Sequence, residues 1–324
     1  MQSVLFISLG FYNYDDKIKE EIENLGYEVT LFTPIGKYTA IEKLFNAMVK
    51  GRYLERKTRR RQINKLLKED KKYDYVFVIV GRHLNPDILK RFKKNQPQAK
   101  FILYLWDDVA RVEHFEENKK YYEKIYSFDL NDVEKYGFEH LPLFYTSAHV
   151  YNGEKKKYLL NMSGLIHSAR ISVLDKIMTR YNLDEKKCFI YMLGYQIKHY
   201  IQAVLPVKNK WMSPKYIHIS GMKFETMAEI MKRSKIALDV QFGSQAGLTM
   251  RTIESLGCHT KLITTNPYVK EYDFYKYGNI CIIDKDDPVV PEDFFTTKYN
   301  DVPNEIVSKY ALSNWVYTIL GNSK

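Results

Sequence analysis

The sequence predicts an α/β protein built from two doubly wound parallel sheets, one after the other along the chain. Short apolar strands alternate with helical patterns almost from end to end. The alternation breaks once, in the polar stretch 147–157, and then restarts. A length of 324 residues also favours two domains. We therefore expect a first domain over residues 1–150 and a second over residues 151–324.

The first domain opens with a βαβ unit. Strand 3–9 leads through Gly10 to a helix at 15–25 and a second strand at 27–32, as at the start of a doubly wound sheet. Because Gly10 stands alone, the GxGxxG fingerprint of dinucleotide-binding proteins is absent. Further strands are expected at 74–80, 100–106, 125–128 and 140–144, with a short helix at 131–136.

Two polar residues follow strands of this predicted sheet. His83 lies just beyond strand 74–80, and Asp107 directly follows strand 100–106. Ligands of open α/β sheets bind outside the carboxyl ends of the strands. His83 and Asp107 are therefore candidate general bases. The alternative is that both are ordinary polar loop residues.

Residues 38–72 are predominantly helical and carry the densest positive charge of the chain, including Arg56, Arg59, Arg60 and Arg61. Apolar residues are interleaved with the basic ones, which predicts an amphipathic basic helix. Such a helix binds anionic membrane surfaces, and each basic residue contributes about 1 kcal/mol near the surface. A solvated helix face explains the same pattern equally well.

Composition sets the class of protein and its surroundings. The chain is 45% hydrophobic and 27% charged, as in globular proteins, and its net charge of +11 favours an acidic partner such as anionic lipid, nucleic acid or a phosphorylated small molecule. No run approaches the roughly 20 apolar residues of a membrane span. The three widely spaced cysteines read as reduced core residues. We expect a cytoplasmic protein.

The stretch 235–265 contains the strongest local signal in the second half. Strand 235–240 leads through a small, polar loop to a helix at 248–256 and a strand at 261–265, which is a βαβ unit. Gly247 and Leu248 are expected to open the helix, where free N–H groups favour an anion.

Two charged residues follow on this helix. Arg251 and Glu254 can share one helix face with Gly247, and the set suits a nucleotide diphosphate, with the guanidinium toward phosphate and the carboxylate toward ribose. The alternative is an exposed ion pair between Arg251 and Glu254, worth a few tenths of a kcal/mol.

The other elements of the second half follow the same alternation. Residues 163–164 read as a turn after the first strand, and Arg170 lies early in the helix that comes next. The strands are predicted at 158–162, 188–193, 216–219 and 279–283, and the helices at 167–181, 196–204, 224–233, 268–274 and 304–320.

Four segments distributed over both predicted domains carry a family resemblance. They are YLWDD at 104–108, SFDLNDVEKYGFEHLPLFY at 127–145, SGLIHSARISVLDKI at 163–177, and GLTMRTIESLG at 247–257 followed by KLITTN at 261–266. Together they resemble segments of the GT-B glycosyltransferases, and specifically of the CgeB-like and group 1-like transferases of capsule and lipopolysaccharide biosynthesis. The resemblance implies two Rossmann-like domains facing across a cleft. The first would be the acceptor-side domain, and the second would bind the nucleotide sugar, with a closing C-terminal helix.

The resemblance also implies roles for individual residues. Glu254 would bind the ribose of the donor, and the helix start at Gly247 and Leu248 would face its diphosphate. His167 and Arg170 would approach the phosphates, although His167 taken alone reads as an ordinary residue near a helix start. Gly10 would let the first loop come close to donor or acceptor.

The implied activity is transfer of a sugar from a nucleotide sugar to a saccharide or lipid-linked acceptor. Retaining GT-B enzymes often carry two glutamates eight positions apart, but Ala246 stands eight positions before Glu254, so retention and inversion both stay open. A helix N-terminus with Arg251 and Arg170 can stabilise the leaving diphosphate, so we expect no metal and no cofactor. In an inverting enzyme Asp107 is the first candidate base and His83 the second.

Three rival functions remain at this stage. A nucleotide-sugar epimerase of the same architecture differs in needing no acceptor. A non-catalytic two-lobed nucleotide- or sugar-binding protein differs in showing no turnover. Nucleic-acid binding rests on charge alone, without a recognition motif, so we expect no nucleic-acid partner.

Overall fold

The computed structural model describes residues 1–8, 10, 13–33, 53–82, 84–166, 168–194, 216–241 and 246–321, with the side chains of 53–57 and 168 left out. The chain divides into two compact units, Met1–Pro142 with Val316–Lys324, and Leu143–Trp315. The sequence placed the division after residue 150 and assigned the chain end to the second domain. The structure assigns residues 143–150 to the second unit and the end of the chain to the first.

The first unit contains a parallel sheet of six strands in the order β2-β1-β3-β4-β5-β6. The chain steps outward from β1 to β2 and then crosses back to β3 on the other side of β1, so the topological switch point lies between β1 and β3. The strands are β1 (Ser3–Ile7), β2 (Glu28–Phe32), β3 (Tyr75–Ile79), β4 (Lys100–Leu105), β5 (Lys124–Ser127) and β6 (Glu139–His140).

The helices of the first unit connect these strands. They are α1 (Tyr14–Asn24), α2 (Tyr53–Leu66), α3 (Pro86–Asn95), α4 (Phe115–Asn118) and α5 (Leu130–Tyr136). Two sequence signals start α3. The Asn85 side chain caps the helix by accepting a hydrogen bond from the Ile88 N–H at 2.9 Å, and proline occupies the first turn. Its apolar side, Leu89 and Phe92, is buried. The order of elements therefore matches the predicted βαβ alternation.

The second unit contains another six-stranded parallel sheet, in the order β12-β11-β10-β7-β8-β9. Counted from β7, this is the Rossmann order 3-2-1-4-5-6, so its switch point lies between β7 and β10. The strands are β7 (Tyr158–Leu165), β8 (Cys188–Leu193), β9 (Ile217–His218), β10 (Ser234–Asp239), β11 (Lys261–Thr264) and β12 (Ile280–Ile282).

The helices that follow in chain order are α6 (Ser168–Arg180), α7 (Phe224–Lys232), α8 (Met250–Gly257), α9 (Asn304–Val307) and α10 (Leu312–Leu320). The core of the second unit packs Val173 and Ile177 of α6 against Leu160, Met162 and Ile236 of the central strands. From Val316 onward the chain belongs to the first unit, where the Tyr27 hydroxyl donates to the Leu320 carbonyl at 2.7 Å. No helix in the described part of the chain has the length and apolar character to cross a membrane.

Several element boundaries predicted from the sequence were wrong. Residues 163–164 are not a turn, because β7 continues to Leu165 through its pairing with β8 up to Leu193. The final helix is not continuous: the chain near Ala311 forms a parallel bridge with Tyr145, and Leu312 N–H donates to the Tyr145 carbonyl at 2.9 Å. The predicted helix at 196–204 lies outside the described residues.

Candidate functional site

The switch point of the second unit is built around a buried carboxylate. Asp239 ends β10 and is 0% exposed. Its Oδ1 lies 2.9 Å from Nη1 of Arg251, and its Oδ2 accepts a hydrogen bond from the Thr249 hydroxyl at 2.7 Å. Because a buried charge is stable only when paired and hydrogen-bonded, Asp239 fixes Arg251 at the carboxyl end of the sheet.

A second guanidinium group lies beside the first. Arg170, near the start of α6, donates from Nε to the Val240 carbonyl at 3.2 Å and from Nη1 to the Leu165 carbonyl at 3.1 Å. Arg251 also donates to the Ser163 carbonyl. The two arginines therefore reach the ends of both strands that flank the switch point, β7 and β10.

Gly164 makes this close approach possible. A Cβ atom at this position would lie 3.0 Å from Nη1 of Arg170 and 3.1 Å from Nη2 of Arg251. Burial and the neighbouring Arg251 lower the pKa of Arg170 to about 10, and Asp239 acts in the opposite direction. Two cations near one carboxylate, in a desolvated place at the carboxyl ends of parallel strands, form a site suited to an anion.

The helix beside this cluster begins later than the sequence predicted. α8 starts at Met250, because the Thr249 side chain caps it by accepting from the Thr252 N–H at 3.4 Å. Gly247 and Leu248 precede the helix and do not open it. The Leu248 side chain is in the core at 1% exposure, and the Gly247 carbonyl accepts from Asn266 Nδ2 at 3.0 Å.

Glu254 makes a contact that the sequence did not predict. It is buried, and its Oε1 lies 3.3 Å from Nε2 of His149. Arg251 and Glu254 therefore contact different partners, Asp239 and His149, so the exposed-pair interpretation was wrong. Both residues belong to α8, but the structure brings Arg170 and Arg251 together and places Glu254 against the segment before β7.

Three residues of this site were not predicted from the sequence as functional: Asp239, Thr249 and His149. Asp239 carried a usable signal, since it is a carboxylate within one residue of the end of predicted strand 235–240, and Asp107 lies within one residue of the end of 100–106. His149 carried none, because the sequence placed it in a linker. The predicted site residue His167 lies outside the described residues.

In the first unit, Asp107 follows β4 and pairs with Arg82, whose Nη2 lies 2.7 Å from Asp107 Oδ2. Burial raises the pKa of Asp107, and Arg82 and Arg111 partly oppose the rise. Nearby, Val80 is fully buried with φ of 62° directly after β3. A β-branched residue in this region is strained, and such strain is concentrated at functional sites. His83 lies outside the described residues.

Of the remaining predicted residues of the first unit, Gly10, Arg60 and Arg61 are exposed. Gly10 is exposed with φ of 80°, close to Ser8, whose hydroxyl donates to the buried Asp15 carboxylate at 2.5 Å. On α2, Arg60 and Arg61 are exposed and Arg59 is half-buried, while the Arg56 side chain lies outside the description. Among the described residues, no group of three metal-ligating side chains lies close enough to hold a metal ion.

The sequence matches no family model and no curated protein. Solved structures match over nearly the whole chain. UDP-GlcNAc 2-epimerase from Methanocaldococcus jannaschii, in complex with UDP-GlcNAc and UDP, has a TM-score of 0.60 at 12% identity and covers 100% of both chains. A glycosyltransferase from Rickettsia africae has a TM-score of 0.58 at 13% identity, covering 99% of this chain and 97% of that one.

A third solved structure is an α-glucosyltransferase in complex with UDP and a 13-mer DNA, with a TM-score of 0.56 at 13% identity over 99% of this chain and 95% of that chain. Identities this low show the fold alone. The two six-stranded parallel sheets and these matches confirm the predicted fold class, an α/β protein with the GT-B fold built from two Rossmann-like units.

Proposed function

We propose that this protein is a GT-B glycosyltransferase that transfers a sugar from a nucleotide-sugar donor to a saccharide or lipid-linked acceptor. The observation that carries the proposal is the Arg170–Arg251 pair at the switch point of the Rossmann-like second unit. The matched epimerases and the α-glucosyltransferase are described in complex with UDP or a UDP-sugar, which supports the same class of ligand. The segment resemblance to CgeB-like and group 1-like transferases supports a role in bacterial surface polysaccharide biosynthesis.

The proposed chemistry follows from charge. Breaking the bond between the sugar and the diphosphate leaves negative charge on the phosphate oxygens. Arg170 and Arg251 supply two positive charges that can stabilise it. The ion pair with Asp239 holds the guanidinium of Arg251 at the end of the sheet. Because the guanidinium groups are already desolvated, little reorganisation is needed when the charge develops. This site supports a metal-independent mechanism with the nucleotide sugar as substrate and no cofactor.

On the first unit, Asp107 is the candidate group for the acceptor hydroxyl. Its raised pKa makes its carboxylate a stronger base than an exposed aspartate, and Arg82 holds it in place. In an inverting reaction Asp107 would remove the proton from the acceptor. In a retaining reaction it would orient the acceptor instead, and the anomeric configuration of the product, read by NMR, separates the two.

A nucleotide-sugar epimerase is the second candidate, because UDP-GlcNAc 2-epimerases from Neisseria meningitidis and Methanocaldococcus jannaschii share this fold. Both reactions act on a sugar that is bound to a nucleoside diphosphate, so the arginine pair suits either one. The difference lies in the acceptor, which only the transferase needs.

The test begins with ligand binding. Among UDP-, GDP- and CMP-sugars, we expect at least one to raise the melting temperature, since a ligand at 100 times its Kd stabilises by about 2.7 kcal/mol. That sugar is then incubated with and without glycan and lipid-linked acceptors. Nucleotide release that depends on the acceptor supports the transferase, and an isomerised sugar without acceptor supports the epimerase. Binding without either reaction would leave a non-catalytic binding protein and contradict the proposal.

We propose that the exposed arginines of α2 hold the protein on the anionic inner face of the cell membrane, where lipid-linked acceptors lie. Arg59 is half-buried, so the test variant carries Arg60→Gln and Arg61→Gln. Each basic residue contributes about 1 kcal/mol near such a surface, so binding to vesicles rich in phosphatidylglycerol should fall roughly 30-fold.

The control removes two exposed lysines from the second unit, Lys270→Gln and Lys285→Gln, which lowers the net charge equally. Equal loss in both variants would show that only overall charge matters. Tight binding of the wild type to duplex DNA at physiological salt, with none to vesicles, would assign the basic face to nucleic acid instead.

A further inference from the structure

The carboxylate of Glu254 is held by a histidine from outside its own helix. His149 is 3% exposed and lies in a short 3₁₀ turn, Ser147–His149, that packs beside α7 and α8. Its Nε2 lies 3.3 Å from Glu254 Oε1, and its Nδ1 lies 3.1 Å from the hydroxyl of the buried Thr146. Thr146, His149 and Glu254 form a buried chain of polar groups.

The partners of His149 assign its protons. Burial lowers the pKa of His149, Lys232 lowers it further, and Glu254 opposes them in part, so the ring is neutral near pH 7. A neutral ring has one donor and one acceptor. The Thr146 hydroxyl can donate to Nδ1, and the negative charge of the Glu254 carboxylate favours an N–H on the nitrogen that faces it, so we assign the proton to Nε2.

The packing keeps this ring from moving away from Glu254. The Phe224 ring of α7 stands nearly perpendicular to it, with centroids 5.4 Å apart. The backbone is tied to the end of α8, because Tyr151 N–H donates to the Gly257 carbonyl at 3.0 Å. A Cβ atom at Gly257 would lie 2.7 Å from the Tyr145 ring and 3.1 Å from the His149 carbonyl, so this approach requires glycine.

We propose that His149 is a positioning residue that sets the orientation of the Glu254 carboxylate for the ribose hydroxyls of the bound nucleotide. The inference rests on the proposed function and adds to it the contact between Glu254 and the donor ribose that the segment resemblance implies. The Nε2–H edge of the ring faces Oε1 at 3.3 Å, and its attraction for the negative charge restrains the plane of the carboxylate. The two hydroxyl groups of ribose can both donate to a carboxylate only when its plane is correctly oriented. His149 would therefore strengthen the preference for ribose over deoxyribose without contacting the ligand.

The experiment measures preference for ribose by calorimetry. The tightest binder among UDP, GDP, CDP and ADP is compared with its 2′-deoxy counterpart, and inorganic pyrophosphate serves as a ligand without ribose. We expect the wild type to prefer the ribose form about tenfold. His149→Phe retains an aromatic ring and removes the donor, so it should lose this preference and keep its affinity for pyrophosphate. His149→Gln, which restores an N–H donor, should recover most of the preference.

Glu254→Ala should lose the same preference, and the double variant His149→Phe/Glu254→Ala should lose no more than either single variant. Thr146→Val provides a milder test if His149→Phe does not fold. Without the hydroxyl, the Nδ1–H tautomer becomes available, and Nε2 then faces the carboxylate as an acceptor. Thr146→Val should therefore weaken the ribose preference in the same direction.

Two outcomes would overturn the inference, and they differ in meaning. If Glu254→Ala loses the ribose preference while His149→Phe, or Thr146→Val in its place, keeps it, the positioning role is wrong and the nucleotide site stands. If Glu254→Ala binds both sugar forms like the wild type, Glu254 is not a ribose ligand and both assignments fail. In that case only the affinity of the Arg170→Met variant for nucleoside diphosphates tests the diphosphate site.

Discussion

Arg170→Met is expected to weaken binding of a nucleoside diphosphate roughly 100-fold. Hydrogen bonds between charged groups contribute up to about 3 kcal/mol, and a desolvated guanidinium beside a second one lies at the upper end of that range. Methionine keeps most of the side-chain length and apolar stem. Isothermal titration calorimetry with UDP, GDP, CDP and ADP measures the change.

The fold should tolerate this substitution. Burial and Arg251 already disfavour the charged form of Arg170, as its pKa of about 10 shows, so removing the cation relieves one unfavourable contribution while losing two hydrogen bonds to carbonyl groups. Arg180→Met is the matched control, because Arg180 lies on the same helix and pairs at the surface with Asp287 at 2.5 Å. If Arg170→Met binds nucleoside diphosphates with wild-type affinity, the diphosphate does not bind at the switch point.

The elements of the fold were readable from the sequence because both sheets are parallel and largely buried. Strands covered on both faces read as continuous apolar runs, and the predicted strands 74–80 and 235–240 correspond to β3 and β10. Strand order was not readable, since a run of apolar residues does not reveal its neighbours. The switch point between β7 and β10 therefore became known only from the structure.

The arginine pair shows the same limit at the site. Arg251 was predicted from helical spacing and Arg170 from the resemblance, but their approach depends on β7 lying next to β10. It also depends on β7 continuing through Gly164, which local propensity assigned to a turn. Pairing with β8 overrides that propensity. The sequence indicated both arginines as candidates. Their proximity depends on the tertiary structure and could not be predicted from it.

The burial of Glu254 could not be predicted from the sequence of its own helix. Helical spacing placed it on a face with Arg251, and nothing within the helix indicates that a distant segment covers it. The covering segment, Leu143 onward, belonged to the first domain in the sequence-based division and belongs to the second unit in the structure. With the boundary drawn at residue 150 and a linker over 147–157, nothing in the sequence placed His149 beside Glu254. Glu254→Ala is therefore expected to lower the stability of the second unit, because a buried histidine loses its partner.

Asp239→Asn is expected to destabilise the second unit by about 3–5 kcal/mol, the usual cost of removing one partner of a buried ion pair. Asparagine has nearly the same shape, so the loss comes from charge. The buried guanidinium of Arg251 loses its partner, and Arg170 loses a carboxylate that favours its charged form. For a unit of this size the melting temperature should fall by roughly 10 °C. Thermal unfolding followed by circular dichroism measures it.

Asp287→Asn is the control, since its ion pair with Arg180 lies at the surface, where such pairs contribute about 1 kcal/mol or less. A second comparison isolates the charge. Asp239→Asn combined with Arg251→Met should be more stable than Asp239→Asn alone, because the guanidinium that was paired with the lost carboxylate is removed as well. A nucleoside diphosphate should also recover part of the stability of Asp239→Asn, since its phosphates would supply the missing negative charge. Equal melting temperatures for Asp239→Asn and the wild type would mean that Asp239 does not hold the arginines in place.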